Sequence, residues 1–224
     1  MKAAASLFLI PLGLISMSAA PLMAQSALPA SKRSRLPVEA GALIDSLNRQ
    51  LISAQSATAT LEDWCAKHCM ASPAKIVARR LSGIEKSPDP ETRRRLEADH
   101  GETIRYRRVQ LMCGEHILSE ADNWYVPARL PAEANIMLET GDTPFGKAIR
   151  SLRPARQTIS AEILWTPPSQ SAAAGPVVDP PRYLVEHRAL ILTPDRTPVS
   201  EVDERYTSEI LDFGACKTPG VEKR

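Results

Sequence analysis

Arg108 heads the apolar run Val109, Leu111, Met112, and Glu204 lies between Val202 and Tyr206 in an alternating segment. In a strand, Val202, Glu204 and Tyr206 share one face, while Asp203 and Arg205 take the other. An acid with apolar neighbours on its own face is expected to point inward, where an unpaired charge is costly. A guanidinium satisfies such a carboxylate. It holds a ligand carboxylate equally well, because its planar fork donates two parallel hydrogen bonds. The chemistry on offer is charge recognition: an internal ion pair, or a grip on a small organic acid. A one-residue slip of the last strand would exchange its faces and make Glu201 and Glu186 the candidate carboxylates.

Other chemistries find less support. Four histidines are scattered along the chain, none paired with a serine or cysteine in a recognised hydrolase arrangement. No P-loop or dinucleotide glycine pattern is present. The spacing of Cys65 and Cys69 around His68 matches neither a zinc knuckle nor a C-x-x-C redox pair, so no metal and no cofactor are expected. Asn123, Trp124 and Tyr125 suit a pocket wall, although core packing suits Trp124 equally well.

The elements that must position these groups follow from periodicity. Apolar residues at helical spacing predict a helix over 42–52, and Thr60 reads as the cap of a second over 60–69, broken by Ser72 and Pro73. A short strand is expected over 76–81 and a charged helix over 91–98. Arg93, Arg94 and Arg95 are bracketed by acids and read as a solvated face. From residue 104 the pattern alternates: a hairpin over 104–126 turns at Gly114 and Glu115, and two short helices follow at 132–138 and 145–152. A strand over 158–165 and a second hairpin over 183–206 complete the series. Helices early and antiparallel hairpins late make an α+β domain. It spans residues 41–215, with a Pro/Ser/Ala-rich insertion at 166–182.

The N-terminus sets the compartment. Met1 and Lys2 precede an apolar run to about residue 20, then small residues and a polar junction at Gln25. This pattern is a signal peptide over 1–24, cleaved after Ala24, followed by a disordered lead-in over 25–40. The mature chain is expected to be periplasmic or secreted, without a membrane span, and monomeric. Loss of Lys2 leaves a net charge of +1, which argues against nucleic acid as a partner. In an oxidising compartment Cys65, Cys69, Cys113 and Cys216 are expected to form disulfides. Three pairings are possible. Cys65 and Cys69 lie one helical turn apart, so either is better joined to Cys113 or Cys216.

Three segments carry a family resemblance: RVQLMC at 108–113, ADNWYVP at 121–127 and DTPFG at 142–146. Together with the closing hairpin that ends in Glu204, Arg205 and Tyr206, they resemble the chorismate pyruvate-lyases over most of residues 60–210. The resemblance implies an antiparallel sheet of about six strands with helices packed over it and a small buried pocket. It implies Arg108 on the ligand carboxylate, Glu204 on the ring hydroxyl, and backbone contacts at Phe145 and near Cys65. The implied reaction converts chorismate to 4-hydroxybenzoate and pyruvate without a cofactor. The same fold serves ligand sensing in UTRA domains of bacterial regulators, so an exported domain that binds an aromatic carboxylate without catalysis is the alternative. Both readings require Arg108 and Glu204 to converge on one enclosed pocket.

Overall fold

The computed structural model describes residues 37–168 and 179–214. The leader, residues 25–36 of the lead-in, residues 169–178 of the insertion and Cys216 lie outside the described residues. Helix α1 spans Pro37–Ser53. It therefore begins inside the expected lead-in, because proline at a first helical position loses no hydrogen bond and brings a helical φ with it. Helix α2 spans Ala57–Lys67 and is capped by Ser56, whose Oγ accepts from Ala59 N at 3.3 Å. The expected cap, Thr60, sits inside the first turn and donates to Ser56 O instead.

Six strands follow: β1 (Ile76–Arg80), β2 (Arg105–Cys113), β3 (His116–Tyr125), β4 (Ala155–Ile163), β5 (Tyr183–Leu192) and β6 (Pro198–Thr207). They form one sheet in the order β1-β2-β3-β6-β5-β4, and every neighbouring pair is antiparallel. Helices α3 (Pro90–Arg95), α4 (Ala132–Thr140) and α5 (Phe145–Ala148) lie in the connections. This is the α+β architecture, six antiparallel strands with covering helices, that the sequence implies.

Helices α1, α2, α4 and α5 cover one face through two apolar clusters. The first joins Ile44, Leu47, Leu51, Leu61 and Trp64 to Val109, Leu111 and Tyr206. The second joins Leu138 and Ile149 to Tyr125, Ile191 and Val202. On the opposite face a smaller cluster packs Leu96 on Trp124, Leu190 and Leu192. Of the two roles open to Trp124 it takes core packing and not the pocket wall, and its Nε1 donates to Lys86 O at 2.9 Å.

Helix α3 departs from the solvated face expected of its arginines. Arg94 is exposed beside Glu91, but Arg95 turns under the sheet and grips the fully buried Glu201 with Nε and Nη2, at 2.8 and 2.7 Å. A buried carboxylate on β6 needs a cation, and α3 supplies it.

Among the described residues no helix is long and apolar enough to cross a membrane. Cys65 is joined to Cys113, tying α2 to the end of β2, within the pairings the spacing favoured. Cys69 is also disulfide-bonded.

Candidate functional site

The gap between the two apolar clusters on the helical face is a pocket, with about 640 Å³ free of atoms and part of that open to solvent. Its floor is the sheet. Gln55 and Ser56, before α2, and Ala57 and Thr58, at its start, form one wall, and Phe145, Gly146 and Ile149 form another. The last strand holds the expected register: Glu204 shares this face with Val202 and Tyr206. Glu201 and Glu186 both stay off it, paired with Arg95 and Arg205.

Glu204 does not meet Arg108. Its Oε2 accepts from Arg156 Nη2 at 2.7 Å and from the Tyr206 hydroxyl at 3.0 Å. Arg156, on β4, is itself buried. Burial opposes its charge, yet the Glu204 carboxylate beside it raises the guanidinium above its usual value. Burial first, and then the Glu204 charge, push the Tyr206 phenol well above its ordinary range. Across the strand pair from Glu204 lies His187, fully buried, with Nε2 at 2.7 Å from Asn48 Oδ1. Burial, with Arg156 adding to it, pushes this imidazole down to about 4. It is therefore neutral at pH 7, and since Asn48 Oδ1 can only accept, Nε2 carries the proton.

Arg108 sits on the other face. In the β2–β3 ladder Arg107 pairs with Asn123 and Arg108 with Asp122, and directly opposed residues share a face. The row Arg107–Asn123–Val202 looks into the pocket, whereas Arg108–Asp122–Asp203 looks away from it. There the Arg108 guanidinium lies between Glu120 and Asp122, at 3.6 and 3.7 Å, in a charged surface network. The expected convergence of Arg108 with Glu204 fails because two arginines stand side by side and strand alternation sends them apart.

Cys65 also misses the pocket. That wall is built from the start of α2, at Ala57 and Thr58, and Cys65 lies two turns further on, in the core, bonded to Cys113. At ~1.5 Å per residue the offset is about 10–12 Å. Phe145 does line the pocket, as the first residue of α5, its ring packed on Tyr125 at 5.8 Å between centroids. Of the four expected residues, the structure brings Glu204 and Phe145 together and leaves Arg108 and Cys65 elsewhere.

Arg107, which the sequence motif does not single out, lines the pocket. It is 2% exposed and has no carboxylate partner among the described residues. Its Nη2 donates to Thr143 O at 2.9 Å and to Gly141 O at 3.4 Å, while its Nε is buried without a partner. Burial, with Arg80 adding to it, pushes this guanidinium down to about 10, so it remains charged at neutral pH. Across the ladder, Asn123 Oδ1 is likewise buried and unsatisfied. With Arg156 spoken for by Glu204, the pocket keeps one positive charge that nothing in the described protein neutralises. Val109, Leu111, Ile149, Ile191 and Val202 make the rest of its lining apolar.

Sequence comparison places the chain beside one curated protein in particular. "Uncharacterized protein y4mC" of Sinorhizobium fredii is 44% identical over 209 residues, covering 89% of this chain and 87% of that one. The chain belongs to the y4mC family. No family model matches the chain. Among solved structures it is similar to PhnF of Mycobacterium smegmatis, at 13% identity and a TM-score of 0.46, over 75% of this chain and 71% of that one. It is also similar to the effector domain of the same PhnF, at 12% and 0.45, over 69% and 90%. At such values the likeness to PhnF carries no functional weight for the y4mC family.

Proposed function

We propose that this chain is a small-molecule binding domain whose pocket takes a small aromatic carboxylate. The observation that carries this reading is Arg107: a buried guanidinium in an apolar pocket, with no acid to balance it. Such an arrangement is expensive when empty, because a desolvated charge without a partner loses more than its hydrogen bonds to backbone carbonyls return. A ligand carboxylate would satisfy the free Nε in the fork geometry that guanidinium favours. Asn123 Oδ1 and the Glu204 carboxylate would accept from a ligand hydroxyl, and the aliphatic lining suits an aromatic ring.

Turnover of chorismate is the finer form of the same reading. Bond cleavage in a dry pocket needs a reactive conformer held in place and a cation near the developing charge. Arg107 would supply the cation, and Glu204, fixed by Arg156 and Tyr206, would hold a ring hydroxyl.

Calorimetry with 4-hydroxybenzoate, beside an assay of pyruvate release from chorismate, separates the two forms. Binding that is lost in Arg107→Gln, with no pyruvate released, identifies a binding domain. Pyruvate release that depends on Arg107 identifies a lyase. If neither 4-hydroxybenzoate nor chorismate binds, the aromatic carboxylate reading is wrong.

We also propose that the chain works in an oxidising compartment outside the cytoplasm. The leader-like sequence and the disulfide-bonded Cys65, Cys69 and Cys113 support this. Fractionation with N-terminal sequencing tests it: mature protein beginning at Gln25 is expected, and an intact Met1 in the cytosol would refute it.

A further inference from the structure

Away from the pocket, His116, Glu209 and Asp212 bring three metal-ligating side chains to one point. We propose that they bind a divalent cation of the zinc type, at a site separate from the ligand pocket.

Two local rules put them there. Gly114, with φ of 55°, takes the left-handed conformation in the tight turn between β2 and β3, and His116 leaves that turn as the first residue of β3. A 3-10 turn, Ser208–Leu211, follows β6, and its geometry eclipses residues three apart. Glu209 and Asp212 therefore present carboxylates to the same side. Because β3 and β6 are neighbours, the exit of the hairpin turn lies beside this 3-10 turn.

His116 Nδ1 stands 3.9 Å from Asp212 Oδ2 and 4.0 Å from Glu209 Oε2, and the donor atoms all lie within 4.8 Å of one another. These separations are too long for hydrogen bonds. They resemble donors ranged around a shared ion: a tetrahedron with the ~2.0–2.2 Å bonds of zinc sets its donors about 3.3–3.6 Å apart, so the two histidine–carboxylate separations need close by only a few tenths of an ångström. Ile117 N donates to Glu209 Oε2 at 2.8 Å, which orients that carboxylate and leaves further lone pairs for a metal. All three side chains are partly exposed, so an ion can enter and water can complete the tetrahedron. One imidazole nitrogen with two carboxylate oxygens favours zinc over calcium or magnesium, which prefer all-oxygen sets. A bound ion would tie the β2–β3 turn to the segment after β6, three residues from the Cys65–Cys113 bond.

The test is calorimetric titration of the full, disulfide-intact, EDTA-treated chain with zinc chloride and, separately, calcium chloride. One equivalent of zinc is expected to bind with micromolar or tighter Kd and to raise Tm. His116→Ala and Glu209→Gln are each expected to weaken binding roughly 10- to 100-fold. The glutamine keeps a carbonyl for Ile117 N, so that variant should fold. In wild-type protein the His116 ring resonances should shift with the first equivalent of zinc, which gives a readout free of folding effects. Absence of saturable zinc binding, an unmoved His116 ring, variants that bind as tightly as wild type, or calcium binding as tight as zinc would each overturn the proposal.

Discussion

Arg107 and Arg108 are consecutive residues whose side chains leave β2 on opposite faces of the sheet. Arg107 lines the pocket with no acid to balance it, and Arg108 lies between Glu120 and Asp122 in the outer network. This divergence predicts a clean functional split. Arg107→Gln should reduce affinity for 4-hydroxybenzoate at least about 100-fold, the loss of a charge-assisted pair worth roughly 3 kcal/mol. Arg108→Gln should leave affinity within about threefold of wild type. Calorimetry on both variants checks this, and the opposite ranking would return the site to the outer face.

The same two residues differ in what they cost the empty protein. Arg107→Met removes an unbalanced buried charge but strands the Thr143 carbonyl, two effects of opposite sign. Its unfolding free energy without ligand should fall within about 1–2 kcal/mol of wild type. A loss of 4 kcal/mol or more by urea titration would mean that Arg107 is a structural residue, not a ligand-binding one.

Arg156 should behave otherwise. Its bond to Glu204 is an ion pair with both side chains buried, and Arg156→Ala leaves the carboxylate without its cation. Breaking such a pair costs about 3–5 kcal/mol, and Glu204→Gln in the same chain should restore part of that by removing the stranded charge. Urea denaturation of the two single variants and the double variant measures the coupling. Additive losses would contradict the pairing.

Much of this architecture can be read from local pattern. The alternation in 198–206 gives the face of Glu204 and the register of β6, and Gly114 with Glu115 marks the first hairpin turn. The cap at Ser56 and the start of α1 at Pro37 are less legible, because caps compete over a few residues and tertiary contacts choose among them. Arg108 misses the pocket by a single residue. Arg107, Val109 and Leu111 share parity, as do Arg108 and Gln110, so the apolar row already pointed to Arg107. Arg156 carried no comparable signal: its role depends on β4 pairing with β5, a long-range contact that no local periodicity encodes.

The Cys65–Cys113 bond closes a stretch of 48 residues that joins α2 to β2. In the chain-entropy view such a loop restricts the unfolded state by about 4 kcal/mol, and measured values often fall lower. Cys65→Ser with Cys113→Ser should therefore lower the unfolding free energy by about 2–4 kcal/mol without moving the pocket residues. Ligand affinity is expected to persist below the new Tm. Loss of binding in a folded double variant would show that the crosslink shapes the pocket as well as the core.

His187 gives the protein a dependence on pH that can be separated from its carboxylates. Its folded-state value of about 4 lies below the ordinary 6.5, so as pH falls through 6.5 the unfolded chain takes up a proton that the folded chain refuses. Stability is therefore full above 6.5, declines between 6.5 and 4, and loses nothing further from this group below 4. The total is on the order of 3 kcal/mol. Glu120 behaves similarly in a lower window. Burial works against its charge, but Tyr183, Gln110 and Arg182 hold it at about 2, so its contribution is lost only as pH falls below the usual carboxylate range toward 2. The slope between pH 6.5 and 5 thus belongs mainly to His187. Urea titrations at pH 7.0, 6.0 and 5.0 should show it in wild type and a much flatter line in His187→Gln. Equal slopes would mean that the buried imidazole takes up its proton in the folded chain as readily as in the unfolded one.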